Sequence, residues 1–376
     1  MKGIFRLFFV LCFMSNTAFA LQYRAALVAD MDSGRVLYSE NANDANYPAS
    51  LTKIMTLYLT FDALEHGRLH LDDYLIVSQY AANASPVKLG LSAGSKITVE
   101  DAIKAVAVHS ANDVARVLAE NLKGGKEGNF ASLMTRVAAE IGLSRTNFEN
   151  SSGLPDDDHL STARDIALMS MAVYKHFPQY WKYFGIKTWE YKGKTYTNGN
   201  RLLGSYIGCD GMKTGFTNKS KYSLVATANR DGHHVMAVVL GAANKDVRAN
   251  IAAQMLTRGF DILKTNSKPV AKTTPVPQIG QNVPVVVSNP VVNTYDAQSQ
   301  PAYSGGNSGV QFGAFSSRAS AETQVVNVRS VLGITPTIET APNGMYRVRI
   351  SGMSENSAQN LKSRASASGI DSFVFH

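Results

Sequence analysis

YPASLTKIMT, residues 47–56, places a serine and a lysine three positions apart at the start of a segment with helical apolar spacing. The pattern predicts Ser50 on the first turn of a helix and Lys53 one turn later on the same face. A serine hydroxyl becomes a good nucleophile when a base takes its proton, and a lysine can be that base when burial or neighbouring cations lower its pKa. Ser-x-x-Lys is a common pattern. Taken alone, it is explained better by a helix-capping serine and a surface lysine than by a catalytic pair, so the interpretation depends on the rest of the sequence.

Two further motifs make the serine–lysine pair informative. HSAND, residues 109–113, falls between two helical patterns, where a short loop could present Ser110 and Asn112 to a cleft. DGMKTGFT, residues 210–217, precedes a strand pattern, where Lys213 on an edge strand could place a cation in that cleft. Each motif alone also fits a helix cap or a turn. In this order, Ser-x-x-Lys, Ser-x-Asn and Lys-Thr-Gly form the set typical of penicillin-binding proteins and serine β-lactamases.

The surrounding segments predict a mixed α/β domain of the α+β kind. Strand patterns near both ends, at 25–38 and 222–241, each contain a turn signal and indicate a hairpin. Helical patterns lie between the hairpins, at 51–65, 99–108, 113–122, 130–141 and 161–174. Strands from both ends of a domain with helices between them predict an antiparallel sheet covered by helices.

Five stretches resemble the low-molecular-mass D-alanyl-D-alanine carboxypeptidases of the S11 peptidase family. They are DSGRVLY (32–38), PASLTKIMT (48–56), GLP (153–155), STARD (161–165) and DGMKTG (210–215). The resemblance covers roughly residues 23–265 and implies the fold that serine β-lactamases share with DD-peptidases. It implies a periplasmic enzyme that acts on peptidoglycan stem peptides and that β-lactam antibiotics inhibit covalently. We expect no cofactor and no metal.

The resemblance assigns three catalytic roles. Ser50 would be the nucleophile that forms the acyl-enzyme, Lys53 its general base, and Ser110 a relay that carries a proton toward the leaving D-alanine. These roles agree with the physical requirements of acyl transfer, which needs a nucleophile, a base, a proton path and an electrostatic clamp. Two lysines in one cleft would lower each other's pKa, which helps Lys53 to be neutral. Backbone N–H groups, including that of Ser50, are the expected oxyanion donors.

The predicted substrate-binding residues are Asn112, Lys213, Thr214, Gly215 and Arg248. By resemblance, Asn112 would hold the substrate amide, and Lys213 and Thr214 would bind the terminal carboxylate. Gly215 would let a substrate backbone come close because it has no side chain. Arg248 lies where similar enzymes carry a carboxylate-contacting arginine, which suits bidentate recognition. A solvated arginine at the start of a helix fits Arg248 equally well.

The N-terminus predicts export. A short basic region, an apolar run too short to span a bilayer and the small-x-small sequence AFA at 18–20 indicate a signal peptide, residues 1–20. Its removal leaves Cys209 as the one cysteine, which excludes an intramolecular disulfide. The formal net charge falls from +8 to +6 because Lys2 and Arg6 lie within the signal. The sequence lacks the dense basic helix that would indicate nucleic acid as a partner. No mature segment has the length and apolarity of a transmembrane helix.

Composition divides the mature chain into three regions. Residues 21–265 form the predicted catalytic domain. Residues 266–307 are rich in proline, valine and serine and nearly free of charge, which predicts an extended, disordered linker. Residues 308–376 regain strand and helix patterns in the order β-α-β-β-α-β, enough for one small domain.

The C-terminal region resembles a SPOR domain over residues 308–376, through QFGAFS (311–316) and YRVR (346–349). The resemblance implies binding to denuded glycan strands, which are stripped of stem peptides and gather at the division septum. Gln311, Ser316 and Arg347 are the predicted glycan contacts, although Gln311 and Arg347 also fit ordinary exposed strand positions. RNA-binding folds share this order of elements, but the few arginines and the export signal argue against RNA.

Other functions fit parts of the sequence. A D,D-endopeptidase would use the same residues on peptidoglycan cross-links. A β-lactamase would need a deacylating Glu-x-x-Leu-Asn stretch between the second and third motifs, and the sequence has none. A non-catalytic wall-binding protein would have lost the motifs, and all three are intact. The leading hypothesis is therefore a carboxypeptidase that the SPOR domain directs to septal peptidoglycan.

Two further features resemble functional sites, a run of acidic residues and the cysteine at position 209. DDDH at 156–159 looks like a metal site, but it lacks the glycine and the distal glutamate of a calcium loop, so we interpret it as a solvated loop. Cys209 precedes the Lys-Thr-Gly strand and is interpreted as a small core residue whose reactivity stays open.

Overall fold

The computed structural model describes residues 22–123, 125–265, 270–271, 307–332, 334, 336–367 and 370–376. The predicted signal peptide and the predicted mature start at Leu21 lie outside the described residues. So does the predicted linker at 266–307, apart from residues 270–271 and 307. Over the described ranges, no helix combines the length and apolarity needed to cross a membrane.

The strands in the described part of the chain are β1 (Ala25–Asp30), β2 (Val36–Glu40), β3 (Tyr74–Ile76), β4 (Lys96–Thr98), β5 (Thr188–Tyr191), β6 (Lys194–Thr197), β7 (Cys209–Thr217), β8 (Lys221–Arg230), β9 (His233–Ala242), β10 (Val270–Ala271), β11 (Ser308–Phe315), β12 (Thr337–Thr340), β13 (Tyr346–Met353) and β14 (Phe373–Phe375). The α-helices are α1 (Lys53–Glu65), α2 (Gln79–Ala82), α3 (Val99–Lys104), α4 (Asn112–Lys123), α5 (Glu127–Glu140), α6 (Ala163–His176), α7 (Lys245–Thr265), α8 (Arg318–Leu332) and α9 (Glu355–Ala367).

The main sheet has the strand order β10-β2-β1-β9-β8-β7. Its neighbours are antiparallel except for β10, which pairs with β2 in parallel. Both predicted hairpins are present, with Val28 opposite Tyr38 in the first and Val225 opposite Val238 in the second. The predicted antiparallel sheet covered by helices is therefore confirmed. Strand β7, which carries the third motif, lies at an edge.

Helices cover both faces of this sheet because its strands are apolar on both sides. Leu27 packs into a core with the helices that follow the first hairpin, whereas its neighbour Val28 packs into a second core beneath α7. Alternate residues of a strand point to opposite faces, so a strand with apolar residues at successive positions must be covered twice.

Helix α1 runs through the larger core. Every residue from Lys53 to Ala63 is buried, polar ones included. The sequence predicted a helix with one apolar face, but α1 is enclosed on all sides, as a central helix is. A lysine at the start of such a helix is carried into the protein interior.

The C-terminal region forms a separate four-stranded antiparallel sheet among the described residues, in the order β12-β13-β11-β14. Val310 and Phe312 of β11, Val348 of β13 and Leu361 of α9 belong to one apolar core. The predicted β-α-β-β-α-β order is confirmed. The boundaries predicted for the two domains stay proposals.

Candidate functional site

Ser50 lies in a 3-10 turn, Ala49–Thr52, that leads directly into α1. Ala49 has a left-handed backbone with φ of 47°, which is costly for a residue other than glycine. Two glycines make room for this turn. A Cβ on Gly153 would lie 1.8 Å from the carbonyl oxygen of Ala49, and a Cβ on Gly215 would lie 3.3 Å from the Ser50 nitrogen. The turn is therefore enclosed from two sides, and Ser50 is half-buried.

The amine of Lys53 lies at the centre of the site. Its Nζ is 3.0 Å from Ser50 Oγ, 2.8 Å from Asn112 Oδ1 and 2.6 Å from the carbonyl oxygen of Ser152. A neutral amine has two N–H donors and one lone pair. Because Asn112 and Ser152 each offer an acceptor, they can take the two N–H bonds, which leaves the lone pair facing Ser50. This geometry suits removal of the hydroxyl proton.

The environment of Lys53 favours its neutral form. Burial lowers the pKa of Lys53 well below its usual value of 10.5, and the positive charge of Lys213 lowers it further. The negative charge of Glu127 acts in the opposite direction. An amine that loses its proton easily can serve as a base at neutral pH.

An irregular turn positions the second motif. Helix α3 continues into a π-helical turn, Ala105–His109, and Ser110 after it has a left-handed backbone with φ of 64°. Single π-turns of this kind are frequent at functional sites. Asn112 begins α4, and its side-chain amide donates to the carbonyl of Ser85 at 3.1 Å while its oxygen accepts from Lys53. The Asn112 carboxamide was expected to hold the substrate amide. In the structure, both its oxygen and its nitrogen are hydrogen-bonded within the protein.

Lys213 lies on the edge strand β7, where the sequence predicted it. Its side chain is 1 % exposed, and the amine donates to Ser110 Oγ at 2.9 Å and to the carbonyl of Thr214 at 3.1 Å. Burial, assisted by the charge of Arg248, lowers the pKa of Lys213 to about 7. The site therefore contains two hydroxyl–amine pairs, Ser50 with Lys53 and Ser110 with Lys213.

Thr214 and Gly215 continue along β7. Thr214 is partly exposed and lies against Gly199, where an added Cβ would approach Thr214 Oγ1 to 2.7 Å. Gly215 was expected to make room for a substrate backbone, but its missing side chain makes room for the chain itself. A Cβ there would lie 3.1 Å from the carbonyl oxygen of Pro48 and 3.3 Å from the nitrogen of Ser50. Glycine thus allows β7 to lie close to the nucleophile turn.

Arg248 lies in the first turns of α7 and is 6 % exposed. Its guanidinium donates to the carbonyls of Ser223 at 3.4 Å and Gly199 at 3.2 Å and lies over the ring of Tyr222. Burial lowers the pKa of Arg248 to about 10. The interpretation as a solvated helix-start arginine is therefore wrong. The charge of Arg248 acts on the Lys213 end of the site.

The carbonyl of Ser152 is a functional group that sequence reasoning missed. Asn150 shapes the turn around it, because Asn150 Oδ1 accepts hydrogen bonds from the backbone nitrogens of Ser152, Gly153 and Leu154 at 3.2, 2.7 and 3.0 Å. A backbone carbonyl leaves no signal in residue type. The neighbouring stretch GLP at 153–155 was the available sign that this loop mattered.

The two potentially misleading features have structural explanations. In the run 156–159 the aspartates are exposed, but His159 is 2 % exposed, bonds Thr52 Oγ1 at 2.8 Å and has its pKa lowered to about 4 by burial. The solvated-loop interpretation is therefore wrong for His159. Across the described residues, no three side chains of metal-binding type cluster. Burial raises the pKa of Cys209 to about 11, which favours the thiol over the more reactive thiolate at neutral pH.

The predicted glycan contacts fall at the C-terminal sheet. Gln311 is buried, and its Oε1 accepts a hydrogen bond from Arg349 Nε at 2.6 Å, so it is not an ordinary exposed position. Arg347 is half-buried on β13, and Ser316 is exposed just after β11. Because Val348 between the two arginines faces the core, both arginines lie on the sheet face opposite the helices.

Family models match both parts of the chain. The D-alanyl-D-alanine carboxypeptidase model of peptidase S11 matches residues 13–244, and the SPOR domain model matches residues 304–375. The first match covers more than half of the chain and contains Ser50, Lys53, Ser110 and Lys213. The second contains β11 to β14.

Individual relatives match about two thirds of the chain. The D-alanyl-D-alanine carboxypeptidase DacF of Bacillus subtilis is 34% identical over 252 residues, which are 66% of this chain and 64% of that protein. DacC of Escherichia coli is 36% identical over 249 residues, 64% of this chain and 62% of that protein. The chain thus spans a little less than two thirds of the length of these relatives.

A solved structure of penicillin-binding protein D2 from Listeria monocytogenes, in its ampicillin-bound form, is similar with a TM-score of 0.59 and 32% identity. It covers 64% of this chain and 99% of that one. Residues 13–244, which the first family model matches, include strands β1, β2 and β7 to β9 of the main sheet, helices α1 to α6 and the lysine–serine site described above. The chain therefore belongs to the peptidase S11 family of D-alanyl-D-alanine carboxypeptidases and carries a C-terminal SPOR domain.

Proposed function

We propose that the chain is a serine-type D-alanyl-D-alanine carboxypeptidase that removes the terminal D-alanine from peptidoglycan stem pentapeptides. The observation that carries the proposal is the position of Lys53 Nζ, 3.0 Å from Ser50 Oγ and held by two further acceptors. The names of the family and of its relatives supply the substrate class.

In the acylation step, Ser50 Oγ attacks the carbonyl carbon of the penultimate D-alanine as Lys53 takes the hydroxyl proton. The negative charge that develops on the carbonyl oxygen is stabilised by backbone N–H groups, that of Ser50 among them. The peptide C–N bond then breaks, the proton passes through Ser110 to the leaving amine, and free D-alanine departs. Water later hydrolyses the ester that remains on Ser50, which restores the hydroxyl.

The Lys213 end of the site recognises the substrate carboxylate. The carboxylate of the terminal D-alanine binds the Lys213 amine and the Thr214 hydroxyl, and the charge of Arg248 adds to the attraction. An anion next to a lysine raises the pKa of that lysine. The pKa of Lys213 is about 7 without substrate, so the arriving carboxylate favours the charged form of this lysine.

β-Lactam antibiotics are expected to acylate Ser50. A similar structure is that of a penicillin-binding protein in an ampicillin-bound form. A β-lactam offers a reactive carbonyl and a carboxylate in the same relation as the substrate, so Ser50 and Lys213 would engage the two groups.

The remaining proposals concern location. Residues 1–20 would direct export to the periplasm, and the SPOR domain would bind denuded glycan and concentrate the enzyme at the division septum. A linker between the domains would let the catalytic domain reach stem peptides near the bound glycan.

Mass spectrometry of a disaccharide pentapeptide before and after incubation tests the activity. We expect loss of one alanine residue with the wild type and no change with Ser50→Ala. Cross-linked dimeric muropeptides in a parallel reaction should stay intact. Cleavage of the dimer without loss of terminal alanine would replace the proposal with a D,D-endopeptidase, and rapid turnover of a chromogenic cephalosporin would indicate a β-lactamase.

A further inference from the structure

We propose that Glu127 is a positioning residue for the acylation step: through the turn at Ser151 and Ser152 it fixes the carbonyl that orients the Lys53 amine. The inference deepens the proposed function and rests on it for the role of Lys53. Glu127 touches neither Ser50 nor Lys53 in any hydrogen bond, so its effect must pass through the turn and through its charge.

Glu127 is the first residue of α5 and is 7 % exposed. Its Oε1 accepts the backbone N–H of Ser151 at 2.9 Å and the hydroxyl of Ser151 at 2.5 Å. Its Oε2 accepts the hydroxyl of Tyr80 at 2.6 Å and lies 3.3 Å from Nε of Arg116. A buried carboxylate is tolerated when partners of this kind compensate its charge. Two of the four contacts go to one residue of the Lys53-binding turn.

The turn passes this restraint to α1. The carbonyl of Ser151 accepts the hydroxyl of Thr56 at 2.6 Å, and the next carbonyl, that of Ser152, accepts the Lys53 amine at 2.6 Å. Successive carbonyls of the turn therefore bond two α1 residues that lie about one helical turn apart, while Glu127 holds the Ser151 nitrogen and hydroxyl from the other side. Without Glu127, Ser151 loses two bonds on its α5 side. Asn150 and Thr56 still restrain the turn, so the carbonyl of Ser152 is held less firmly rather than released.

The charge of Glu127 has a second, opposite effect. It raises the pKa of Lys53, while burial and Lys213 lower it. The other charged or titratable groups that act on this carboxylate or share its surroundings are Tyr80 on α2, Arg116 and Glu120 on α4, and His159 in the 156–159 loop. Positioning therefore affects the plateau rate of acylation, whereas charge affects the pH midpoint of the profile. The two effects can be measured separately.

The experiment compares Glu127→Gln, Glu127→Ala and Tyr80→Phe. The rate constant of acylation by fluorescent penicillin is measured from pH 5 to 9, together with the melting temperature. Glu127→Gln keeps an acceptor for Ser151 and removes the charge, so the acid limb of the profile should move to lower pH by roughly half a unit or more. Glu127→Ala should show the same shift and a plateau rate lower by about ten-fold, since a misplaced reacting group slows a reaction strongly.

Tyr80→Phe is the matched control, because it removes one bond to the same carboxylate but keeps the charge and both bonds to Ser151. Its acid limb should stay in place. If Glu127→Ala is folded and its plateau rate matches that of the wild type, the positioning role is overturned even if the midpoint shifts. If Glu127→Ala does not fold, an unshifted limb in Glu127→Gln overturns the inference.

A titration that needs no activity separates this inference from the proposed function. In protein labelled with ¹³C at lysine Cε, the Lys53 resonance should titrate at lower pH in Glu127→Gln than in the wild type. Coinciding titrations would contradict the inference. If the wild type itself is not labelled by penicillin, the proposed function fails, whereas the ¹³C titration still decides whether Glu127 acts on Lys53.

Discussion

The side-chain oxygen of Asn112 lies 2.8 Å from the amine nitrogen of Lys53, which joins the second sequence motif to the first. Asn112 is thereby part of the surroundings of the proposed general base, and its amide group is fixed by the carbonyl of Ser85. Because an amide oxygen is a neutral acceptor, it orients the amine without favouring the charged form as a carboxylate would.

Asn112→Asp should therefore slow acylation at neutral pH. The substitution keeps the shape but places a carboxylate beside Lys53, which raises the pKa of the amine and leaves less of it neutral. We expect the acid limb of the acylation profile to move upward by about one to three pH units. Acylation by fluorescent penicillin between pH 6 and 10 measures this, and recovery of the rate at high pH distinguishes it from misfolding. A uniformly lower rate with an unchanged midpoint would contradict the expectation.

Lys53→Arg should abolish the function of the base, because it replaces an amine that can be neutral with a permanent cation. A guanidinium does not lose its proton in proteins, so it cannot accept that of Ser50. We expect the acylation rate to fall by about 10²- to 10⁴-fold, the usual contribution of a general base. Stopped-flow labelling with a fluorescent penicillin measures the rate, and circular dichroism checks the fold. A folded variant within ten-fold of the wild type would show that another group takes the proton.

Lys213→Met should change the pH dependence of stability. The pKa of Lys213 is about 7 in the folded chain and 10.5 as its ordinary value. Below pH 7 the amine is charged in both folded and unfolded chains, so the full cost of burying the charge is present. Between pH 7 and 10.5 the folded chain releases its proton first, and the stability of the wild type rises relative to the variant.

Urea unfolding of both proteins from pH 6 to 10 measures this difference. Between pH 7 and pH 10, the free energy of unfolding of the wild type should rise relative to that of Lys213→Met by on the order of 2–5 kcal/mol. Lys213→Arg, which stays charged throughout, is the matched control and should show no such gain. A constant difference between wild type and Lys213→Met would mean that the lysine keeps its proton over the whole range.

Gly215→Ala should reduce acylation by pushing β7 away from the nucleophile turn. Its Cβ would lie 3.1 Å from the carbonyl oxygen of Pro48 and 3.3 Å from the Ser50 nitrogen, and a displacement of this kind near the reacting atoms can cost about 100-fold. Gly128→Ala is the matched control, since a Cβ there has nothing within 4 Å. The rate of labelling by fluorescent penicillin is measured for both variants. Equal rates would show that the nucleophile turn accommodates the added methyl group without loss of acylation.

Arg347→Ala should weaken binding of the C-terminal domain to denuded glycan without unfolding it. Gln311→Ala is the comparison variant. Gln311 is buried and bonded to Arg349, which also bonds Glu339. Its loss should therefore lower the free energy of unfolding by about 1–3 kcal/mol in addition to any effect on binding. Co-sedimentation of the full chain with amidase-treated sacculi measures binding, and melting curves measure stability. Undiminished co-sedimentation of Arg347→Ala would remove that residue from the proposed contact surface.

Much of the architecture followed from local patterns. The two hairpins were predicted because turn residues separate apolar, strand-like stretches, and the helices between them had the right spacing. The edge position predicted for Lys213 is confirmed by the strand order, in which β7 is the last strand of the main sheet. The sequence did not predict that α1 is buried all round, since enclosure depends on which segments pack over its polar face.

The sequence by itself determined which side chains are available for the proposed chemistry, because Ser-x-x-Lys, Ser-x-Asn and Lys-Thr-Gly specify their types and their order in the chain. Tertiary structure alone decided what each group does to the others. It placed the carbonyl of Ser152 and the oxygen of Asn112 on the Lys53 amine, turned Gly215 toward Ser50, and buried Glu127 and Arg248 where their charges act on the two lysines. Hydrogen bonds and pKa values depend on distance and burial, and residues far apart in the chain acquire both only when it folds.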